Sequence, residues 1–448
     1  MTAAARPKRP PSPKLLAERT AQAAPFVQAF VRAFEHAGAA AAPAWLAALR
    51  QAGLAAFRAQ GFPTPALEAW RFTNLRALAD AQLAPAGDPI AATLPPALAA
   101  LTPRATFVNG RFAAALSDLA GLPAGVTLTP LAEATARDGD ALRTRIGKLV
   151  PAEGDGLAAL NAAFLADGAV LSVAAGTLAT APLHLVMLGT APAPLSFHPR
   201  LLVSLGAQAQ ATIVEHQAGA AGQPYLANQV CEIDVAAGAR LAWITHQDHA
   251  PGAFAVARMA AAVARDASFR HVLLATGALL SRHEVRIRLD GPGASTGIHA
   301  AGLLRGAALA DITTAIEHAA PHTTSDEIVK LVLDGRSRGV FQGRIAVAPG
   351  AQKIEGYQLS RGLLLSEDAT ANLKPELEIF ADDVKCSHGS TVGQVDPAQL
   401  FYLRARGIDP TTARRLLVEG FVGEILEKVP DDETRARLAA QAAAWLAG

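Results

Sequence analysis

The run Glu327-Ile328-Val329-Lys330-Leu331-Val332-Leu333 decides the reading of the fold. Its branched apolar residues suit a strand, but apolar and polar positions alternate only in part. That is expected where one side lines a narrow core and neighbouring coils cover the edges. Similar runs recur on both sides of it, at Val285 to Leu289, Arg344 to Val347 and Leu377 to Phe380, with Gly at their ends and few clear helices. Corners at Gly176-Thr177, Gly206-Ala207 and Gly238-Ala239 fall 30 and 32 residues apart, a period that marks a solenoid or a propeller. Further corners are expected at Gly291-Pro292-Gly293, Gly306, Gly335, Gly339, Gly343 and Gly350. Only 4 Trp occur in the chain and no Trp-Asp signature repeats, which favours a β-solenoid of stacked coils over propeller blades. The core is read over residues 106–393. It opens with Phe107-Val108-Asn109-Gly110-Arg111-Phe112, a hairpin signal, and a helical patch from Leu157 to Phe164 interrupts it.

Outside these bounds the pattern changes. Residues 1–14 are rich in Pro, Arg and Lys and read as a disordered tail. Residues 15–105 read as a helical domain with a linker: Phe26, Val27, Phe30, Val31 and Phe34, then Trp45, Leu46 and Leu49, fall at helical spacing, and prolines between Pro85 and Pro103 mark the linker. The aromatic segment from Leu67 to Leu75 reads as interdomain packing. Residues 394–448 return to helix. Asp396-Pro397 with Gln399, and Asp409-Pro410, are helix starts, while Gly407 and Pro430 are stops. Leu416, Leu417, Val418, Phe421, Val422, Ile425 and Leu426 form a stripe that either caps the solenoid or docks a partner.

Net charge is +1, so no global field points to nucleic acid. Two cysteines, Cys231 and Cys386, and no secretory signal suggest a reducing cytoplasm. The apolar stretch from Gly168 to Leu195 is broken by Gly176, Thr177, Thr180 and Pro182 into two strands, which argues against a membrane span.

The chemistry concentrates in Ala381-Asp382-Asp383-Val384-Lys385-Cys386-Ser387-His388-Gly389-Ser390-Thr391-Val392-Gly393. On a strand, Cys386 and His388 share a face, and a thiol with an imidazole suits iron, zinc or copper. Two ligands do not close a site, so others would have to come from elsewhere. Val384 lies on the same face, and by spacing alone a packed cysteine and a satisfied core histidine is the weightier reading. His246 with His249, and His318 with His322, read as packing or solvated residues, and Cys231 as core.

Several ordered segments together resemble the SufB/SufD family of iron–sulfur cluster assembly proteins. They are Gly339-Val340-Phe341-Gln342-Gly343-Arg344-Ile345, Ala351-Gln352-Lys353, Tyr357-Gln358-Leu359, Leu363-Leu364-Leu365-Ser366, Pro375-Glu376-Leu377-Glu378-Ile379, Asp382 to Gly389, and Leu400 to Ile408. With only two cysteines the chain looks more like the SufD branch than the SufB branch. The resemblance implies a right-handed parallel β-helix flanked by N-terminal and C-terminal α-helical domains. It implies a non-catalytic scaffold subunit of the SUF complex, paired with SufB through the β-helix, or with a second copy when alone. It also implies docking of the ATPase SufC through Leu416, Leu417, Phe421, Val422 and Ile425. His388, with Cys386 beside it, would then serve a transient iron–sulfur cluster at the SufB interface, His388 as the metal ligand. ATP would act only through SufC, since no Gly-x-x-x-x-Gly-Lys-Ser/Thr loop is present. Two rival readings are a β-helix enzyme acting on polysaccharide through Asp382 and Asp383, and a SufB-type sulfur acceptor using Cys386.

Overall fold

The computed structural model describes residues 27–33, 35, 42–87, 91–220 and 222–447. The expected tail, and Phe26 and Phe34, lie outside the described residues. The core is a parallel β-solenoid. One sheet runs through Val126–Pro130, Gly168–Val173, Arg200–Leu205, Tyr225–Val235, Phe254–Val263, Leu280–Leu289, Leu309–His318, Arg338–Val347 and Thr370–Ile379. The other runs through Arg104–Val108, Leu183–Gly189, Gln210–Gly219, Arg240–Asp248, Ser268–Ala275, Ser295–Leu304, Thr324–Leu333, Ile354–Leu364 and Val384–Gln394. The chain alternates between the sheets, so each strand pairs with the strand one coil away. Gln210, Arg240, Ser268, Ser295, Thr324, Glu355 and Lys385 stand in one column, a repeat of 27 to 31 residues. The Asn109-Gly110 hairpin forms as expected, with φ of 47° and 77°.

The corners stack through backbone hydrogen bonds: Gly176 N–H donates to Ala207 O, Gln208 to Ala237 and Gly238 to Arg265. Gly176 and Gly238 have φ of 72° and 68°, but in the corner between them the left-handed residue is Gln208, at 61°, not Gly206. Gly206 is small for a different reason, since a Cβ there would lie 2.5 Å from Ala175 N. Gly339 and Gly343, expected as corners, lie inside the strand Arg338–Val347. They make room in the lumen: a Cβ on Gly339 would meet Leu331 Cδ1 at 2.8 Å. The strands also begin earlier than their apolar runs, because a coil above and a coil below hold Gly and polar residues in the ladder. The lumen is filled by Cys231, Trp243, Phe269, Ile298, Ile316, Ile345 and Ile354, all buried. Each large side chain so buried contributes about 1.5–3 kcal/mol.

The flanking helices are fixed to the outside of this stack. The segment around Trp70 and Thr73 packs where interdomain contact was expected, and polar contacts hold it. Arg282 lies 4.1 Å from the Trp70 ring and pairs with the buried Asp311, which also accepts from Thr73 Oγ1 at 2.5 Å. Arg200, buried, donates Nε to Glu232 Oε1 at 2.9 Å, Nη1 to Asn161 at 3.1 Å and Nη2 to Val150 O at 3.0 Å. Glu232 accepts in turn from the amides of Gly147 and Leu149. Arg200 is hydrogen-bonded at all three guanidinium nitrogens, and Arg282 is paired with Asp311 and stacked on Trp70, so removing either acidic partner would strand a buried charge at about 3–5 kcal/mol.

At the other end, α1 (Pro397–Ala405), α2 (Pro410–Leu426) and α3 (Asp432–Ala447) follow the last strand. Asp396 accepts from Ala398 N, and Asp409 from Thr411 N and Thr412 N, as the start signals predict. Gly407 has φ of 86° after α1. α2 does not cap the solenoid. It lies along the flank, with Val418, Val422, Ile425 and Leu426 against Val214, Ile244, Val272, Leu303 and Val332. Buried Lys330 secures it, donating to Phe421 O at 2.7 Å, pairing with Glu424 and lying 4.7 Å from the Phe421 ring centroid.

Burial holds His198, His216, His249 and His271 neutral, their pKa values lowered to about 3, and it is the main cause that lowers His184, His283 and His318 to about 4. The unfolded chain takes up these protons below about pH 6.5 while the folded chain excludes them, so this stability is complete above that pH and lost as pH falls toward about 4. Each such histidine adds a slope of about 1.4 kcal/mol per pH unit in that window. The urea midpoint is therefore expected to drop steeply between about pH 7 and pH 5; a flat midpoint there would contradict the buried, neutral assignment.

Candidate functional site: the uncovered end of the solenoid

Every coil but the last is covered by the next. Thr370–Ile379 and Val384–Gln394 terminate the two sheets, and among the described residues neither has a strand on its far side. The edge of Thr370–Ile379 carries Pro375, which lacks a donor and blunts pairing. Val384–Gln394 contains no Pro and is mostly exposed. It therefore presents a row of free backbone donors and acceptors, the arrangement that takes an added strand.

Register fixes the side chains on this edge. Val384, Cys386, His388, Ser390 and Val392 stand opposite Ile354, Gly356, Gln358, Ser360 and Gly362, the buried positions of the coil below. They continue the lumen-facing row, and Ser390 Oγ lies 3.1 Å from Ser360 Oγ. Cys386 and His388 thus share a face. Val384 and Cys386 still pack against the core, whereas His388 is exposed and Val392 is 49% exposed. Burial raises the Cys386 thiol above its ordinary pKa, with hydrogen bonding at Gly356 acting against it, so the thiol form dominates near neutrality. Among the described residues no group of three or more His, Cys, Asp or Glu side chains is placed to hold a metal. A metal held by His388 and Cys386 would need further donors beyond these two side chains.

The remaining candidates separate. Asp382 and Asp383 sit on an exposed bend before the edge strand. His249 is buried beside Tyr225 OH at 3.0 Å, and His318 between Thr323 and Ser325, while His322 is an exposed corner residue with φ of 58°. The two histidine pairs are packing and turn residues. Cys231 is core, at 1% exposure, and its thiol is pushed up by burial. The α2 stripe divides between two faces. Val422 and Ile425, at 1% and 0% exposure, are spent on the solenoid and cannot touch a partner in this conformation. Leu416 faces out, Leu417 and Phe421 are half-buried, and exposed Phe401 and Tyr402 on α1 extend the outer surface. The pattern of apolar residues along α2 did not show which side meets the sheet. Also missed was a polar stack beneath His388, where Gln358 Nε2 donates to Glu327 Oε2 at 2.6 Å. A Glu and a Gln inside otherwise apolar strands were its only signal.

The SUF system FeS cluster assembly, SufBD core domain, matches residues 187–421, and the SufBD protein N-terminal region matches residues 96–185. The chain belongs to the SufBD family of iron–sulfur cluster assembly proteins. It is 30% identical over 399 residues to the iron–sulfur cluster assembly protein SufD of Escherichia coli, covering 87% of this chain and 90% of that one. It is 33% identical over 387 residues to an iron–sulfur cluster assembly SufBD family protein of Synechocystis sp., covering 83% and 84%. The membership is thus to the SUF system, with SufD homology, and the motif residues quoted from Gly339 onward lie largely within the core match. Among the described residues no helix is long and apolar enough to cross a membrane.

The two thiols differ in burial. With a thiol-reactive disulfide reagent at about pH 8, Cys386 should react several-fold more slowly than a free thiol and Cys231 only on unfolding. Rapid stoichiometric labelling of both in the native chain would contradict the structure.

Proposed function

We propose that this chain is a SufD-type scaffold that pairs with a SufB-like subunit through the edge Val384–Gln394 and offers His388 to a nascent iron–sulfur cluster. The observation that carries this reading is the edge itself: an uncovered strand whose lumen-facing row brings an exposed imidazole to the open end of the solenoid. An added strand from the partner would satisfy the free backbone groups, and a partner thiolate beside His388 would complete a mixed nitrogen and sulfur site. The cluster is cargo, to be handed on, and a site shared between two chains opens when they separate. Cys386, half-buried and protonated, suits a structural place near the cluster better than sulfur acceptance in the isolated chain. Family membership and the exposed placement of Asp382 and Asp383 favour assembly over polysaccharide cleavage.

In the same reading a SufC-like ATPase docks on the outward surface of the C-terminal helices, through Leu416 and Leu417 with Phe401 and Tyr402, and supplies the ATP chemistry. Val422 and Ile425 act from behind, coupling α2 to the solenoid. Lys330 ties that helix to the strand whose second neighbour is Val384–Gln394, so a displacement of α2 reaches the edge through two ladder steps. The chain itself acts as a non-catalytic subunit in the cytoplasm.

The test is His388→Ala, co-expressed with SufB-like and SufC-like partners and followed by iron and sulfide analysis of the purified complex. The complex should assemble with a several-fold loss of cluster. Normal cluster content would make His388 a packing residue and overturn the ligand assignment.

A further inference from the structure

Three side chains are stacked along the solenoid axis at its open end. Glu327 stands opposite Gln358, and Gln358 opposite His388, on successive strands of one sheet and on its lumen side. Neighbouring strands lie about 4.8 Å apart, so each side chain is within reach of the next. Glu327 and Gln358 are 1% and 3% exposed. Gln358 fits because position 343 is glycine: a Cβ there would lie 2.3 Å from Gln358 Nε2. The Gln358 amino group is committed to Glu327 Oε2, while Gln358 Oε1 is buried and accepts nothing. A buried acceptor left without a donor costs about 1–3 kcal/mol, and native chains seldom keep one without a use. The backbone of His388 is in the ladder, but among the described residues its ring meets no hydrogen-bond partner, and that ring carries an N–H to donate in its neutral form. The unused acceptor and the unused donor are neighbours in register.

We propose that Gln358, oriented by Glu327, is a positioning residue for His388, accepting the imidazole N–H so that the opposite ring nitrogen is directed to iron. This rests on the reading of His388 as a cluster ligand. A metal-bound imidazole nearly always donates its second N–H to a fixed acceptor, which sets the tautomer and the ring orientation; losing that acceptor typically weakens metal binding about 10–100-fold. A carboxamide alone could present either end to His388. Glu327 removes the ambiguity, because its oxygen takes the amide N–H and leaves the carbonyl for the ring. Glu327 need not be charged for this. Burial raises its pKa to about 7, yet an oxygen that accepts from Gln358 is available in either protonation state. Gly343 is the third part of the arrangement, since any larger residue would displace the amide.

The inference is tested with Gln358→Met, which keeps the length of the side chain and removes the acceptor, alongside Glu327→Gln, Glu327→Leu and His388→Ala. All are co-expressed with the SufB-like and SufC-like partners and compared in three readouts: complex assembly, iron and sulfide content, and nitrogen hyperfine coupling of the reduced cluster. The thermal midpoint of each isolated chain is measured in parallel. Gln358→Met should assemble, melt no lower than the unaltered chain, lose several-fold of its iron and show an altered nitrogen coupling. Glu327→Gln retains an oxygen acceptor for the amide and should keep the cluster; Glu327→Leu should behave like Gln358→Met. If His388→Ala loses the cluster while Gln358→Met and Glu327→Leu keep both iron content and coupling, the positioning inference is wrong and the ligand assignment stands. If His388→Ala keeps the cluster, the ligand assignment fails first. Should Gln358→Met fold poorly, Glu327→Leu against Glu327→Gln still decides, because only loss of the acceptor separates them in effect on the amide.

Discussion

The parallel ladder gives each internal strand of this chain two neighbours. Coil on coil, the backbone donors of one strand are met by the acceptors of the next, and the lumen row of one coil lies over that of another. That constraint explains why polar residues and glycines survive inside the strands, since pairing on both sides does not depend on their side chains. It also identifies the place where the rule stops. Among the described residues Val384–Gln394 has a neighbour on one side only, and the lumen row that is interior in the coils before it becomes surface there. The chemistry of Cys386 and His388 follows from position in the stack: one residue still touches the core, and the next along the row meets solvent.

Among the described residues the helical parts leave that end free. The N-terminal segment is held to the side of the sheet by Trp70, Thr73, Arg282 and Asp311, and α2 is held to the other flank by Lys330 and an apolar row. Both attachments combine burial with charges that are hydrogen-bonded or stacked, so loosening either exposes an unpaired charge. A solenoid capped by its own helices would have no edge to offer. Here the helices brace the walls, and α1 and α2 keep an apolar outer surface at Phe401, Tyr402 and Leu416. The chain belongs to the SufBD family, and the proposed partners would cover the open edge and this outer surface.

Much of this was legible in the sequence. The strand at Glu327 to Leu333, the corners near Gly176 and Gly238 and the helix starts at Asp396 and Asp409 are local signals, written in residues that force a strand, a left-handed turn or a cap. Cys386 and His388 were also readable as sharing one face, because alternation is local. Gly339 and Gly343 were misread as corners because a glycine needed for lumen space looks the same as one needed for a turn. The face of α2 that meets the sheet was not legible, since Leu416 and Val422 are equally apolar and only the long-range position of Val214 and Val332 separates them. The Glu327, Gln358 and His388 stack was hidden for a similar reason. Those residues are about 30 apart, and register alone brings them together.

The central claim, that the uncovered edge is where a partner strand adds, is tested most directly by hydrogen exchange of the backbone amides of residues 384–394, in the isolated chain and after mixing with a SufB-like subunit. Amides on the free side of the strand should exchange fast alone and become strongly protected in the complex, while those bonded to Ile354–Leu364 are protected in both. A complex that forms with the free-side amides still exchanging fast would place the interface elsewhere and contradict the account.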